Sequence, residues 1–265
     1  MTVPNAPSPG MIAVAALDRL AGVRHGFFTR QGGVSEGGFA SLNCSLSSGD
    51  QPERVRANRG LAAGRLAMTA DRLMLVQQVH GSKVALVNQD WPLPQAPEAD
   101  ALVTVRRGIA LGVLGADCAP VLLAEPEAGV IGAAHAGWRG ALGGVLDSVV
   151  AAMEALGARR ARLVAAIGPC IHQPSYEVGP DFPRPFLADD PANGDFFAVA
   201  ARQGHFRFDL PGYIARRLAH LSVGLIETTP HDTLSQEERF FSHRRSQLRG
   251  EKACGRQLSA IALAE

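Results

Sequence analysis

Two short apolar runs in the middle of the chain, Ala119–Ala124 and Val130–Ala134, constrain its fold more than any other feature. Each run has the length of a buried strand, and the turn-forming segment Glu125–Gly129 separates them. This arrangement predicts a β-hairpin. Cys118 directly precedes the first run, and His135 directly follows the second. A hairpin of this size would therefore bring a thiol and an imidazole together at one end.

A helix is predicted to begin beside that end of the hairpin. The sequence G-W-R-G at 137–140, which contains Arg139, leads into Ala141–Leu156, where apolar residues recur with helical spacing. The first backbone N–H groups of a helix have no partner within it, so they can hold an anion. A thiol, an imidazole, an arginine and free amides in one place indicate a functional site.

Further apolar runs predict a chain rich in neighbouring strands. The predicted strands are Val23–Thr29, Leu73–Gln78, Ser82–Val87, Ala101–Val105, Ile109–Leu114, Arg162–Ile167, Phe206–Asp209, Gly224–Thr228 and Gln257–Leu263. The predicted helices are Pro52–Leu66, Ala141–Leu156 and Leu210–Leu221. Tight connections at 79–81 and 106–108 predict two more hairpins or bends. Because strands and helices do not alternate strictly, we expect an α/β protein of the α+β type rather than a doubly wound parallel sheet.

Composition excludes several classes of protein. Hydrophobic residues make up 46% and charged residues 19% of the chain, as in ordinary globular proteins. The net charge of +1 argues against a dominant nucleic-acid-binding surface, and no apolar run reaches the ~18 residues of a membrane span. Residues 1–10 show no secretory signal, so we expect a flexible N-terminus and one domain over residues 11–265. The four cysteines form no C-x-x-C pair, which favours reduced thiols and a cytoplasmic protein.

Three interpretations of Cys118 are open from the residues alone. With His80 and His135 it would complete a catalytic zinc site, which uses three protein ligands and leaves one position open. With His135 as a base it would instead form a thiolate–imidazolium nucleophile. Otherwise it would pack as a small buried hydrophobic residue.

Arginines close to glycine or aromatic residues are candidate anion ligands. Arg30, Arg139, Arg244 and Arg245 have this context, and a planar guanidinium matches phosphate bidentately. Solvated surface charge is the alternative for each of them. Asp117, next to Cys118, is a candidate general acid or base, or a cap.

Several motifs taken together resemble a known family. F-F-T-R-Q-G-G-V-S, S-L-N, Q-Q-V-H-G, G-A-D-C-A-P-V, H-A-G-W-R-G, G-P-C-I, Y-E-V-G and F-F-S-H-R-R occur in this order from about residue 25 onward. The chain is similar to the YfiH-like family, whose members are called multicopper polyphenol oxidoreductase (laccase), purine nucleoside phosphorylase or peptidoglycan editing factor. The resemblance implies a compact α/β sandwich, with mixed sheets covered by helices, similar to the catalytic domain of the cytotoxic necrotizing factor toxins.

The resemblance also implies the residues of the site. The implied metal ligands are His80, Cys118 and His135, with Zn²⁺ as the expected ion and Cu²⁺ as the alternative. The catalytic candidates are Cys118, His135, Asp117 and Arg139. The candidates for binding substrate or phosphate are Arg30, Asn43, Gln78, Tyr176 and Arg245.

The family's activities give the expected function. They include phosphorolysis of adenosine, inosine and methylthioadenosine, together with deamination of adenosine. We therefore expect a zinc-dependent purine nucleoside phosphorylase whose partners are a purine nucleoside and phosphate, acting as a monomer or small homo-oligomer without nucleic acid or membrane. The alternatives are a cysteine hydrolase or amidase that edits peptidoglycan precursors, and a copper-dependent polyphenol oxidoreductase.

Three positions depart from the family's pattern. His243 replaces the tyrosine of F-S-Y-R-R, and Asp232 stands where a cysteine precedes threonine. Ser175 stands where a cysteine often precedes Y-E-V-G. Because the three implied ligands are intact, we expect these departures to affect substrate preference more than metal binding.

Overall fold

The chain is built on two β-sheets packed face to face, as seen in a computed structural model that describes residues 10–91 and 95–264. The strands are β1 (Met11–Ile12), β2 (Val23–Phe28), β3 (Leu73–Met74), β4 (Val84–Leu86), β5 (Ala101–Thr104), β6 (Ile109–Gly115), β7 (Ala119–Glu125), β8 (Val130–Ala136), β9 (Val164–Ile167), β10 (Glu177–Val178), β11 (Phe197–Val199), β12 (Phe206–Phe208), β13 (Leu225–Thr228) and β14 (Gln257–Leu263). One large sheet has the order β13-β9-β7-β8-β5-β4, and the other has the order β1-β2-β14-β6-β3. A small third sheet has the order β10-β12-β11.

Helices cover the outer faces of this sandwich. They are α1 (Ala15–Asp18), α2 (Pro52–Arg65), α3 (Trp138–Leu142), α4 (Val145–Ala155), α5 (Arg184–Asp189), α6 (Leu210–His220) and α7 (His243–Leu248). Short 3-10 turns occupy Gly37–Phe39, Leu46–Ser48, Ala70–Arg72, Arg160–Arg162, Gln173–Ser175 and Pro191–Phe196. Helix α2 packs on the five-stranded sheet, and α4 and α6 pack on the six-stranded sheet.

Alternation along the central strands explains the layers. Leu122 and Ala124 of β7 belong to the apolar cluster between the two sheets, whereas Val121 and Leu123 belong to the cluster covered by α4. Successive side chains of a strand point to opposite faces, so a strand that is apolar throughout must be covered on both sides. The sheets contain both parallel and antiparallel pairs. The predicted α+β sandwich with mixed sheets is therefore confirmed.

The predicted central hairpin is also confirmed. Strands β7 and β8 pair antiparallel, with Ala119 opposite Ala136 and Glu125 opposite Val130. All seven residues of each strand are buried. This register places Cys118 and His135 at the same end.

His80 and Gly81 form a bend, one of the two outcomes predicted there, but neither of the two other connections forms a β-hairpin. Strand β3 pairs with β6 in the five-stranded sheet, whereas β4 pairs with β5 in the six-stranded sheet. The connection between β3 and β4 therefore crosses from one sheet to the other, and so does the connection between β5 and β6. A short turn between two apolar runs allows either outcome, because runs that are buried on both faces do not show which sheet they join.

The predicted helix Ala141–Leu156 begins earlier and is divided in two. Gly144 has a φ of 87°, a left-handed conformation that glycine adopts easily, and it separates α3 from α4. The short helix α3 therefore directly follows β8 and carries Arg139. The helices predicted at Pro52–Leu66 and Leu210–Leu221 each end one residue earlier than predicted.

The predicted flexible segment, residues 1–10, lies outside the described residues except for Gly10. The single domain over residues 11–265 stays a prediction. Over the ranges that the structure describes, no helix combines the length and apolarity needed to cross a membrane.

Candidate metal centre and cavity

His80 and Cys118 both lie where the chain passes from the five-stranded sheet to the six-stranded sheet. His80 is in the connection from β3 to β4, and Cys118 is in the connection from β6 to β7. His135 lies in β8, opposite Pro120 of β7. Two crossings between sheets and the end of the hairpin thus meet at one point.

The three side chains are close enough to share one ion. One ligating atom from each of His80, Cys118 and His135 lies within 4.8 Å of the other two. The two imidazole rings are 4.9 Å apart between centroids and inclined by 70°. Imidazole nitrogen and thiolate sulfur form a donor set that suits zinc. The residues therefore fit the ion that the sequence predicts.

The buried carboxylate of Asp100 holds the two histidines in place. Its Oδ1 lies 2.9 Å from Nδ1 of His135 and accepts the backbone N–H of His80 at 3.0 Å. Its Oδ2 accepts the backbone N–H groups of Val79 and Gly81. Burial opposes ionisation of Asp100, but these hydrogen bonds and His135 outweigh it and lower the pKa of the carboxyl. With Nδ1 of His135 engaged, Nε2 is the nitrogen left for an ion.

Electrostatics favour an ionised thiol in the metal-free cluster. Burial disfavours the thiolate of Cys118, but the charge of His135 and hydrogen bonds from His135 and His80 lower its pKa to about 6. Burial likewise opposes protonation of His135, but Cys118 and Asp100 raise the pKa of that imidazole to about 9. At neutral pH the pair is therefore a thiolate and an imidazolium. A metal ion would use the thiolate directly and displace the imidazolium proton.

Backbone conformation is unusual on both sides of the cluster. His80 has a φ of 58° and Asp117 has a φ of 86°, which side-chain-bearing residues adopt at a cost of roughly 1 kcal/mol or more. Gly137 lies against the cluster on a third side. A Cβ at that position would lie 2.8 Å from Sγ of Cys118 and 3.1 Å from Nδ1 of His80. Only glycine leaves room for the cluster at residue 137.

The cluster lines a cavity of about 930 Å³, which falls in the range of small-molecule sites. Four arginines line it: Arg59, Arg139, Arg244 and Arg256. Of the described residues that line it, Asp117 alone carries a carboxylate. None of these four arginines forms an ion pair with a described residue. The cavity is therefore suited to an anionic or phosphate-bearing ligand.

Asp117 is fixed by two hydrogen bonds. Its Oδ1 accepts the hydroxyl of Thr233 at 2.7 Å, and its Oδ2 accepts the backbone N–H of Arg244 at 2.7 Å. The carboxylate therefore connects the segment before β7 to the start of α7. His243, the first residue of α7, is exposed and also lines the cavity. Burial and the charge of Arg256 lower the pKa of that imidazole.

Two aromatic side chains and the side-chain amide of a glutamine also line the cavity. Trp138 and Tyr176 line the cavity and pack on Phe182 behind them. Arg139 lies 4.5 Å from the ring centroid of Trp138, so the guanidinium stacks on the indole. Gln78 also lines the cavity, but its amide is held by the backbone of Leu114 through two hydrogen bonds.

Three of the predicted substrate residues lie outside this cavity. Arg30 donates to the carbonyls of Ala40 and Glu237 and stacks on Phe241. Arg245 is buried and donates to the carbonyls of Thr233, Leu234 and Phe240. Asn43 is fully buried and donates to Ser48 and Asp50. These hydrogen bonds hold all three side chains against other parts of the protein. The arginines that line the cavity do not include Arg30 or Arg245.

Two of the departures from the family's pattern form a single contact. The hydroxyl of Ser175 donates to the carboxylate of Asp232, and Asp232 pairs with Cys170 as an isolated bridge. Ser175 and Asp232 therefore lie at one place in the fold. Neither residue lines the cavity.

Sequence reasoning missed Asp100, Arg59 and Arg256. Asp100 stands directly before an apolar run, where it could be taken for a strand end. Arg59 lies in α2 among charged residues, and Arg256 lies in a polar segment before β14. Their positions depend on contacts between distant segments, so no local pattern identifies them.

The chain is similar to known proteins over most of its length. Residues 24–264 match the family model described as multi-copper polyphenol oxidoreductase laccase. A purine nucleoside phosphorylase of Corynebacterium glutamicum is 37% identical over 232 residues, which cover 87% of this chain and 92% of that protein. A purine nucleoside phosphorylase of Deinococcus radiodurans is 42% identical over 226 residues, which cover 84% of each protein.

A solved structure shows the same fold. The crystal structure of the Bacillus licheniformis hypothetical protein YfiH is similar with a TM-score of 0.87 and 30% sequence identity, covering 98% of each chain. The family match spans nearly the whole of the described chain, including all three residues of the cluster. This chain therefore belongs to the YfiH-like family, whose family model is described as multi-copper polyphenol oxidoreductase laccase.

Proposed function

We propose that this chain is a zinc-dependent purine nucleoside phosphorylase that also deaminates adenosine. The observation that carries the proposal is the cluster of His80, Cys118 and His135 on the wall of an arginine-lined cavity. The relatives named purine nucleoside phosphorylase support the same reaction class. Zinc is preferred to copper because phosphorolysis and deamination need a Lewis acid and involve no change of oxidation state.

The phosphorolysis step joins phosphate to the sugar and releases the base. A phosphate oxygen forms a bond to C1′ of ribose while the bond from C1′ to N9 of the purine breaks. The electron pair of that bond leaves with the purine, which takes up one proton, and the products are ribose 1-phosphate and the free base. The cavity arginines neutralise the phosphate, and they also stabilise negative charge that develops during transfer.

The cavity residues can be given roles in this step. Tyr176 and Trp138 offer aromatic faces for the base, and Arg139, stacked on Trp138, offers a cation beside it. Asp117 is the proposed proton carrier, positioned by Thr233. Burial raises the pKa of Tyr176 well above its usual range, so this phenol stays protonated and can donate a hydrogen bond.

Deamination of adenosine would use the same cluster. When bound, a zinc ion would act as a Lewis acid and lower the pKa of a water molecule in its open position. Asp100 would keep His135 in the orientation that presents Nε2. Gly137 would keep the space beside Cys118 clear.

A thiol hydrolase or amidase is the second candidate, because the pKa of Cys118 is lowered to about 6. In that case Sγ of Cys118 would attack a carbonyl carbon and His135 would protonate the leaving amine. The two candidate functions differ in what activity requires: a bound metal ion for the phosphorylase, or the free thiolate of Cys118 for the hydrolase.

One experiment separates these functions. Purified protein is assayed with adenosine, inosine and methylthioadenosine, with and without phosphate, beside elemental analysis. We expect about one zinc per chain, cleavage that requires phosphate, and loss of both zinc and activity in Cys118→Ser but not in Cys254→Ser. Metal-free protein that stays active, and that loses activity on alkylation of Cys118, would favour the hydrolase. An unchanged KM for the nucleoside in Arg139→Ala would reject the place given to Arg139 beside the base.

A further inference from the structure

Arg59 is a buried cation without a counter-ion in the described chain. Its side chain crosses from α2 to the carbonyl of Cys44, to which Nε donates at 2.7 Å. The residue is only 6% exposed, and Nη1 has no hydrogen-bond partner among the described residues. Burial lowers the pKa of the guanidinium, which shows that the surroundings do not compensate its charge.

Such an arrangement is unfavourable in an isolated protein. A guanidinium removed from water loses solvation that is normally replaced by a carboxylate or by hydrogen bonds. Arg59 nevertheless lines the same cavity as the metal cluster. An anion entering the cavity would supply the missing partner.

The residues around Arg59 provide further donors at this end of the cavity. Ser45 and Ser47, in the turn that follows Cys44, have hydroxyl oxygens 3.0 Å apart, and both residues line the cavity. Arg256 is held next to them, because the backbone N–H of Cys44 donates to its carbonyl. Arg59 and Arg256 are thus both tied to the backbone of Cys44, and both line the cavity with the two serines. Nη1 of Arg256 donates to the carbonyls of Cys254 and Gly255, and its other guanidinium nitrogens make no hydrogen bond with a described residue.

We propose that Ser45, Ser47, Arg59 and Arg256 form a subsite for a phosphate group. The assignment rests on the proposed function for its place in the reaction, where this group would be the phosphate co-substrate. This assignment places the phosphate group away from Arg139, which stacks on Trp138. Planar guanidinium groups and hydroxyls are the donors that bind phosphate oxygens.

The test measures binding of orthophosphate to the zinc-loaded protein by isothermal titration calorimetry, without turnover. Arg59→Met removes the buried cation, and Ser47→Glu places a negative charge at the same wall on an exposed residue that the fold tolerates. We expect each change to weaken phosphate binding at least about 10-fold, as loss of a charge-assisted hydrogen bond does. Arg56→Met is the matched control, because Arg56 lies one turn away on α2, faces solvent and pairs with Glu53.

A second titration with adenosine 5′-monophosphate identifies the source of the phosphate group. Weaker binding of orthophosphate in Arg59→Met and Ser47→Glu supports a subsite for free phosphate. Weaker binding of the nucleotide alone supports a subsite for a phosphate ester. Unchanged binding of both ligands in folded Ser47→Glu, or a loss found only in Arg139→Met, would overturn the proposal. Because the readout is binding, absence of nucleoside cleavage would reject the proposed function and leave this result standing.

Discussion

Asp100 and His135 are joined by a contact of 2.9 Å between Oδ1 and Nδ1, and both side chains are buried. The same carboxylate accepts the backbone N–H of His80 at 3.0 Å. One buried side chain thus sets the position of two of the three residues in the cluster. Because of this double role, Asp100 is a positioning residue, and its removal should weaken metal binding.

Asp100→Asn should weaken zinc binding by about 10- to 100-fold, the usual effect of losing a carboxylate behind a metal-bound histidine. The NH2 group of the asparagine would also face the backbone N–H groups of Val79 and Gly81, which now donate to the carboxylate of Asp100. Two donors would then oppose each other. Zinc affinity is measured by competition with a chromophoric chelator, and circular dichroism checks the fold. Asp90→Asn is the control, because Asp90 is exposed and pairs only with surface arginines. An unchanged zinc affinity would contradict the role given to Asp100.

In metal-free protein, Cys118 should react with iodoacetamide at a rate that rises with pH, reaches half of its maximum near pH 6 and levels off about one pH unit higher. The reason is that only the thiolate reacts, and the pKa of Cys118 is lowered to about 6. Cys254, whose pKa is raised by burial, should remain slow at pH 7. The rate at each cysteine is followed by mass spectrometry of peptides from the unsubstituted protein. Added Zn²⁺ should protect Cys118, and an equal rate with and without zinc would argue against Cys118 as a ligand.

Gly137→Ala should reduce zinc binding, because the new methyl group would lie 2.8 Å from Sγ of Cys118. The neighbours of Gly137 must move to accept it, and the cluster is the nearest group. Gly64→Ala is a matched control, since nothing lies within 4 Å of a Cβ at that position of α2. The control should keep full zinc binding and be slightly stabilised, by about 0.5–1 kcal/mol. Equal zinc content in both variants would show that residue 137 tolerates a side chain.

Arg245→Met should lower the free energy of unfolding by about 2–4 kcal/mol, because three buried carbonyls lose a charged donor. Arg249→Met should leave the free energy of unfolding nearly unchanged, since Arg249 pairs with Glu237 at the surface. Both values come from urea denaturation. A stable Arg245→Met protein with a raised KM for phosphate would instead restore the substrate-binding role predicted from its sequence motif.

The sequence was sufficient for those parts of the site that depend on short-range geometry. Cys118 directly precedes a hairpin of two seven-residue strands, and His135 lies near the end of its second strand; the register follows from run length and turn position. His80 joins them through a crossing between sheets, which could not be inferred from apolar patterning. Its place in the cluster came from the resemblance of V-H-G to a family motif.

The polar residues that support the site could not be predicted in the same way. Asp100 and Arg59 owe their burial to segments distant in the chain, and charged residues in a sequence ordinarily indicate surface. The contacts of Arg30 and Arg245 likewise come from distant segments, so the sequence motif alone predicted phosphate binding for both residues. Their guanidiniums hold backbone carbonyls, a use of arginine that no motif distinguishes from ligand binding.

His80 and Cys118 stand on two of the chain crossings that link the halves of the sandwich. An ion bound by both would act as a cross-link between the layers, in addition to any chemical role. Its stabilising effect should then extend across the whole molecule, so that metal removal speeds global unfolding and amide exchange in β3 and β6 as much as in β7 and β8.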